Sequence, residues 1–142
     1  MRNSYILFLL FFVTFASAQN THHTISIDDR LLEIYDQTYL ENLKSNNPVI
    51  LERWNFYLDH AWFLADLPVG KEVSNYKKIS IPDLENINIL LLEKAQGLSR
   101  DWEKFTFYRI EGTDQMLVYY PGKEFTAKLN EHLGRTPSKK GK

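Results

Sequence analysis

The chain of 142 residues contains no cysteine, and this absence excludes several kinds of chemistry at once. No disulfide can form, no thiol can act as a nucleophile or metal ligand, and no N-terminal cysteine can carry a lipid. A domain of this size without disulfides must therefore rely on its hydrophobic core for stability.

An excess of charge of one sign is also lacking, since 17 Lys and Arg face 18 Asp and Glu, for a net charge of −1. A nucleic-acid-binding domain normally shows a strong basic excess, so we expect no nucleic-acid partner. The N-terminal apolar stretch from Tyr5 to Ala18 is shorter than the roughly 20 residues that a membrane-spanning helix needs. We therefore expect no stable membrane anchor.

The N-terminus does have the pattern of a secretory signal peptide. Arg2 precedes the apolar run, and the run ends in Ala16-Ser17-Ala18, the small residues that signal peptidase recognises. This pattern predicts cleavage near Ala18 and an exported protein, either periplasmic or extracellular. Export without cysteine fits a bacterial envelope better than a eukaryotic secretory route, where small domains depend on disulfides.

Helical spacing dominates the first half of the chain. Asn47-Pro48 predicts a sharp helix start, because Asn can accept the free N–H groups of the first turn and Pro suits the first helical position. An earlier helical segment has Asp28 or Asp29 as its start and Asp36 as an interruption. The apolar residues after Pro48 recur every three or four positions and predict one buried face: Ile50, Leu51, Trp54, Tyr57, Leu58 and Ala61.

Strand patterns follow in the second half of the chain. Gly112–Asp114 reads as a three-residue hairpin loop that places Ile110 opposite Met116. Residues 61–67 fit either a further strand or a continuation of the helix. Runs of alternating, β-branched and aromatic residues predict three strands: residues 86–93, 104–111 and 115–120.

These elements together predict an α+β fold, in which N-terminal helices pack on a small antiparallel β-meander of three or four strands. Residues 1–18 form the signal peptide, 19–134 a single domain and 135–142 a disordered basic tail. A short C-terminal helix ending near Gly134 is predicted from four-residue spacing: Phe125, Leu129 and Leu133.

Both faces of the predicted hairpin are apolar, although an antiparallel sheet with one wet side normally carries polar residues there. Helices and loops cover both faces, or part of one face is left for a partner or a second copy. With Ile110 opposite Met116, Arg109 and Tyr119 share a face with Phe105, Phe107 and Leu117. Arg109 and Tyr119 then mark the side expected to be open.

Catalytic motifs are missing from the sequence. His60 has Asp59 beside it and Asp66 nearby, but adjacent residues point apart on a helix or strand, so Asp59 cannot easily orient His60. No serine lies in a G-x-S-x-G turn, and no H-E-x-x-H or calcium-loop pattern is present. We therefore expect no enzyme, no cofactor and no metal site.

Three functional hypotheses follow. The first is a non-catalytic envelope protein that binds another protein, assists an assembly or associates with itself. The second is a glycan- or small-ligand-binding module with exposed aromatic rings, of which Trp102, in a polar stretch, is the best candidate. The third is an enzyme, with no residue assigned. The sequence predicts a possible interaction surface formed by three residues: Trp102, Arg109 and Tyr119.

Overall fold

The computed structural model describes residues 24–69 and 73–135. The predicted signal peptide and most of the predicted basic tail lie outside the described residues. The described part is an α+β fold with helices at both ends, as predicted. Its elements are α1 (Asp29–Leu32), α2 (Gln37–Asn46), α3 (Pro48–His60), β1 (Trp62–Asp66), β2 (Lys77–Ile79), α4 (Ile89–Gln96), β3 (Thr106–Ile110), β4 (Gln115–Tyr119) and α5 (Gly122–His132). Within these ranges, no helix combines the length and apolarity needed to cross a bilayer.

Aspartates start the first two helices. The Asp28 carboxylate accepts a hydrogen bond from the Arg30 backbone N–H at 2.9 Å, and the Asp36 carboxylate accepts one from Thr38 at 2.8 Å. Each side chain thereby satisfies an N–H group that has no partner inside its helix. Asp36 interrupts the helical segment, as predicted. Its backbone is extended (φ −65°, ψ 141°), and it is the N-cap residue of α2.

Helix α3 begins at Pro48, as predicted, but the expected side-chain cap is wrong. The Asn47 side chain makes no hydrogen bond to the helix, whereas its backbone carbonyl accepts from the Ile50 N–H at 3.0 Å. Proline fixes φ near its helical value and has no N–H to satisfy. The helix start therefore depends on Pro48 more than on the Asn47 amide.

The predicted strand at residues 86–93 is wrong, because most of that segment belongs to helix α4. The Asn88 side chain accepts a hydrogen bond from the Leu91 N–H at 3.4 Å and caps the helix. Gly97 ends it in the left-handed conformation, at φ 61°. A short apolar run does not distinguish a strand from a buried helix, so the caps and the contacts decide.

The four described strands form one sheet in the order β1-β4-β3-β2. Strand β4 pairs antiparallel with both β1 and β3, so the predicted hairpin of β3 and β4 is confirmed. Residues 61–67, for which the sequence allowed a strand or a longer helix, contain strand β1. Strand β2 lies parallel to β3 and was not predicted, since three residues with two lysines carry almost no strand pattern.

The register of the hairpin differs by one residue from the predicted register. Met116 lies opposite Arg109 instead of Ile110, because Glu111 joins Gly112–Asp114 in the connection between the strands. Gly112 supplies the positive φ of 73° that the turn requires. Because side chains alternate between the two faces, the shift moves every residue of β4 to the face opposite the one predicted.

The hydrophobic core lies on one face of the sheet, which we call the helix-covered face. The strands contribute buried residues and two half-buried ones, Trp62 and Leu64, to this face. The buried strand residues are Ile79, Tyr108, Ile110, Leu117 and Tyr119. They pack with buried residues of the helices and their flanks: Leu31, Leu40, Leu43, Leu51, Leu58, Ile89 and Leu98.

Candidate functional site

The opposite face of the same strands, which we call the open sheet face, is the candidate binding surface. None of its residues belongs to the hydrophobic clusters that the described helices form with the sheet. Alternation along the four strands defines its positions. They are Phe63, Ala65, Lys78, Phe105, Phe107, Arg109, Met116, Val118 and Tyr120.

Five aromatic rings form one connected cluster on this face. Phe105 is the centre, with ring centroids 6.5 Å from Phe63, 6.5 Å from Phe107 and 5.9 Å from Tyr120. Phe63 and Tyr120 lie 5.0 Å apart, and Tyr76, from the segment before β2, stacks on Phe107 at 5.3 Å. These centroid distances lie in the range in which aromatic pairs attract each other.

The rings bury the smaller side chains between them. Val118 lies in register between Phe63 and Phe107 and is 1% exposed, although no described helix of the core packs on it. Phe105, at the end of the strand, remains 40% exposed. The face thus holds its shape through its own rings while an apolar surface remains open to solvent.

Positive charge surrounds this aromatic cluster. Arg109 and Lys78 are neighbours in register on β3 and β2, and Lys128 of α5 places its ammonium 3.4 Å from the centroid of the Tyr120 ring. Among the described residues, no carboxylate lies within ion-pair distance of these three cations. The face therefore combines aromatic rings with cations that have no acidic partner in residues 24–69 and 73–135, although the whole chain is nearly neutral.

The structure separates two of the three residues predicted as an interaction surface. Arg109 lies half-buried on the open sheet face, whereas Tyr119 is 0% exposed on the helix-covered face. The predicted role of Tyr119 at an open surface is wrong because the hairpin register is shifted by one residue. A side chain with no exposed surface cannot contact a partner of the folded chain.

Tyr119 instead belongs to a polar cluster inside the core. Its hydroxyl donates to the Glu93 carboxylate at 2.9 Å, and the Tyr57 hydroxyl donates to the same oxygen. Burial raises the pKa of both tyrosines well above the ordinary value, and the negative charge of Glu93 adds to the effect. Both hydroxyls therefore stay protonated and satisfy the one carboxylate of the cluster.

Trp102 is exposed, as the glycan hypothesis requires, but it lies in a loop rather than on the sheet. Its side chain is 59% exposed, and its ring lies against Gly122, where a Cβ would come within 2.5 Å of Cε3. The Lys123 N–H donates to the Trp102 carbonyl at 3.1 Å. The ring is thus supported on one side by the start of α5.

His60 and Asp59 line a pocket of about 410 Å³ beside α3, yet they do not act as a pair. The Asp59 carboxylate accepts from Arg30 at 2.6 Å. Phe56 lies between two imidazoles, with centroids 4.3 Å from His60 and 4.5 Å from His132. In the described part of the chain, no hydrogen bond links His60 to a carboxylate or a hydroxyl, whereas His132 Nε2 lies 3.1 Å from the Glu52 carboxylate in the same pocket.

Acidic residues line a second cleft, of about 770 Å³, between α1 and the start of β1. Arg30 neutralises two carboxylates near it, since it pairs with Asp28 at 2.7 Å and with Asp59 at 2.6 Å. These contacts lower the pKa of Asp28, chiefly through the hydrogen bond from Arg30. Across residues 24–69 and 73–135, no group of three His, Cys, Asp or Glu is placed to hold a metal ion.

Comparison of the chain with protein-family models, with curated proteins and with solved structures finds no match. The functional argument therefore depends on the geometry of the described residues.

Sequence reasoning missed several residues of the open sheet face. The alternation of Phe105, Phe107 and Arg109 already indicated one side of β3. No local pattern indicates that Tyr76 or Lys128 joins them, because these residues arrive from a loop and from α5 through the tertiary fold.

Proposed function

We propose that this chain is an exported, non-catalytic module that binds another protein through the open sheet face. The observation that carries the proposal is the five-ring aromatic cluster on a sheet face that the described helices of the core leave uncovered. Connected apolar patches on the surface of a protein typically mark interaction sites. Aromatic residues and arginine are also enriched in the centres of protein interfaces.

The charge of the face favours a partner surface that is acidic as well as apolar. Arg109 and Lys78 lie side by side on β3 and β2. The rings of Phe107 and Phe105 lie on the same side of the sheet, two and four residues before Arg109 in the chain. A second copy docked face to face would present the same cations and, at the positions named above, no acidic residue, so it offers no complementary charge. The proposal therefore names a different protein of the envelope as the partner, in preference to self-association.

A photocrosslinking experiment tests this surface. A photoreactive phenylalanine analogue replaces Phe105, which is 40% exposed, and in a control it replaces Val49 of α3, which is 41% exposed. We expect discrete crosslinked proteins from position 105 alone, and we expect Arg109→Glu to remove them. The matched charge reversal Lys94→Glu, on the exposed side of α4, is expected to leave them unchanged.

Two results would contradict the proposal. Identical products from positions 105 and 49 would show that contact at the open sheet face is not specific. A wild-type dimer in sedimentation that Arg109→Glu dissociates and Lys94→Glu leaves intact would assign the face to self-association.

Export is part of the proposal and is supported by the sequence of residues 1–18, which lie outside the described ranges. Intact-mass measurement of the protein recovered from the envelope or the medium tests it. A chain that begins at Gln19 is expected. Recovery of the full-length chain from the cytoplasm alone would contradict export.

Trp102 supports a second candidate function, the binding of a glycan. An indole ring that is 59% exposed and supported from below by Gly122 can stack on a sugar ring. Titration with envelope polysaccharide fragments is then expected to change the tryptophan fluorescence of the wild type but not of Trp102→Phe. A flat titration curve for the wild type would remove this candidate.

A further inference from the structure

The two edges of the sheet differ in how they are protected against a further strand. Strand β2 forms one edge with three residues, of which Lys77 and Lys78 are cationic. Strand β1 forms the other edge with five residues that include no lysine and no proline, and it pairs with β4 in continuous register. Sheet edges are commonly protected by short strands, lysine, proline or bulges. The edge of β1 lacks these devices, and only Asp66 at its end is charged.

The backbone of β1 has hydrogen-bonding groups that point away from the sheet. The Tyr120 N–H donates to the Ala61 carbonyl at 3.1 Å, and the Leu67 N–H donates to the Asp114 carbonyl at 2.8 Å. Because pairing alternates along antiparallel strands, the odd-numbered residues of β1 bond to β4 and the even-numbered ones face outward. Within the described ranges, no other strand or loop pairs with the outward groups. These groups belong to Trp62, Leu64 and Asp66.

A cleft of about 770 Å³ lies beside the start of this edge. Both Trp62 and Phe63 line it, although adjacent residues of a strand point to opposite faces of the sheet. A cleft that contacts both residues therefore extends past the edge of the strand, on the side that β4 does not occupy. Residues 84–87 and helix α1 also line it. Its volume lies in the range of ligand pockets, so it has room for a side chain of a strand added to β1.

The lining of this cleft is acidic. The only cation among its described lining residues, Arg30, is paired with Asp28 at 2.7 Å and with Asp59 at 2.6 Å. The indole ring of Trp62 also suits a cationic ligand, because tryptophan is the aromatic residue that attracts cations most strongly. The carboxylates that line the cleft without an ion pair in the described ranges are Asp29, Glu33 and Glu85.

We propose that the edge of β1 binds an extended segment of another polypeptide, which adds a strand to the sheet and places a lysine or arginine side chain in the acidic cleft. In this mode of recognition, backbone pairing supplies affinity and pockets for single side chains supply selectivity. A second copy that added its own β1 would present Asp66 and the same acidic cleft, so it offers no complementary cation there. This inference concerns the edge of the sheet and does not rest on the proposed function of the open sheet face.

Hydrogen exchange measured by NMR tests the edge. In the free protein, we expect the amide protons of Leu64 and Asp66 to exchange faster than those of Phe63 and Ala65, which bond to β4. The probe is a short synthetic peptide of alternating valine and threonine with one central lysine. At saturation it should slow exchange at Leu64 and Asp66 about tenfold, the effect expected of one hydrogen bond, and leave the other two unchanged. Equal exchange of all four amides in the free monomer, or binding without this protection, would overturn the proposal.

Two changes in the peptide separate backbone pairing from side-chain binding. Only alternate N–H groups of an added strand face β1, so N-methylation of one alternating set should abolish binding, whereas N-methylation of the other set should preserve it. Replacement of the central lysine by glutamate should abolish binding as well. Equal binding of the two methylated peptides, or of the lysine and glutamate peptides, would contradict the proposed mode of recognition.

Variants of the protein test the cleft and the edge separately. Glu85→Gln is expected to raise the dissociation constant of the lysine peptide about fivefold, the effect of removing one unit charge at about 4 Å in water. Glu41→Gln, an exposed glutamate of α2 outside the cleft, is the matched control and should leave the constant unchanged. Asp66→Pro removes an outward N–H and should weaken binding more than Asp66→Ala, which keeps it. An unchanged constant in Glu85→Gln, or equal constants for the two Asp66 variants, would overturn the proposal.

Arg109→Glu separates this site from the open sheet face, because Arg109 lies on β3 and β4 lies between β3 and β1. It is expected to leave peptide binding unchanged while it removes the crosslinks from position 105. Loss of peptide binding in Arg109→Glu would assign the peptide to the open sheet face and overturn this inference alone. A dimer in sedimentation, with Leu64 and Asp66 already protected in the absence of peptide, would make a second copy the occupant and would overturn it too.

Discussion

The two faces of the sheet consist of the same strands and are similarly apolar, but they are stabilised differently. On the helix-covered face, Leu117 and Tyr119 are 0% exposed and pack against residues of several helices. On the open sheet face, Val118 is buried by neighbouring rings, and Phe105 remains 40% exposed. An apolar residue pattern thus shows that a face needs cover, but it does not show what provides the cover.

The polar groups of the two faces differ in the same way. Inside the core, the Glu93 carboxylate accepts hydrogen bonds from two tyrosine hydroxyls, so its charge is compensated locally. On the open sheet face, Arg109 and Lys78 have no acidic partner among the described residues. Compensated charges contribute to folding, whereas uncompensated surface charges are available for recognition.

Truncation of one side chain on each face should give the largest contrast. Leu117→Ala is expected to lower the free energy of unfolding by about 2–5 kcal/mol, because it leaves a cavity in the core. Phe105→Ala is expected to lower it by only about 1–2 kcal/mol, because part of the ring is already exposed. Urea denaturation measures both values. Equal losses would show that the open sheet face is as tightly packed as the core.

Removal of the hydroxyl group from Tyr119 and, in a separate variant, from Tyr120 compares the two faces at neighbouring positions. Tyr119→Phe is expected to lower the free energy of unfolding by about 1.5–3 kcal/mol, because half-buried Glu93 loses a charge-assisted hydrogen bond. Tyr120→Phe, on the open sheet face, is expected to change it by no more than about 0.5 kcal/mol. Urea denaturation of the two variants and of the wild type provides the test, and a larger loss for Tyr120→Phe would contradict the assignment of the faces.

Alkaline pH should lower the free energy of unfolding through the buried tyrosines that pack on the helix-covered face. The pKa values of Tyr57 and Tyr119 are raised in the folded protein, so their contribution is complete below pH 10 and is lost as the pH rises above it. One pH unit above 10, each tyrosine is expected to lower the free energy of unfolding by about 1.4 kcal/mol. Urea denaturation between pH 9 and pH 11 measures the loss. Tyr119→Phe should reduce the slope, and an unchanged slope would contradict the assignment.

The smallest effect is expected at the edge of the open sheet face. Lys128→Gln removes the ammonium that lies over the Tyr120 ring and is expected to lower the free energy of unfolding by about 0.5–1 kcal/mol. The comparison is thermal denaturation of Lys94→Gln, because Lys94 of α4 lies over no aromatic ring of the described residues. No difference between the two variants would show that the contact adds nothing to folding.

Part of the candidate surface could be predicted from the sequence. The alternation in residues 105–109 indicated an apolar side of β3 that carries Arg109. The polar surroundings of Trp102 left open whether its ring is exposed or packed under a loop, and the ring is 59% exposed. The prediction that Arg109 and Tyr119 share one face is wrong, because one additional residue in the hairpin connection moves every β4 side chain to the opposite face. Register depends on the packing of the whole strand against the helices, and no local pattern encodes it.

Elements with local signals could be read directly from the residue pattern. Asp28 and Asp36 cap helices through their own first turns, Pro48 starts α3, and the four-residue spacing beginning at Phe125 produces α5. Tertiary packing fixes whether residues 89–96 are helix or strand, where the short strand β2 pairs, and which face of the sheet the helices cover. Those outcomes depend on contacts between residues far apart in the chain, whose free energies outweigh weak local preferences.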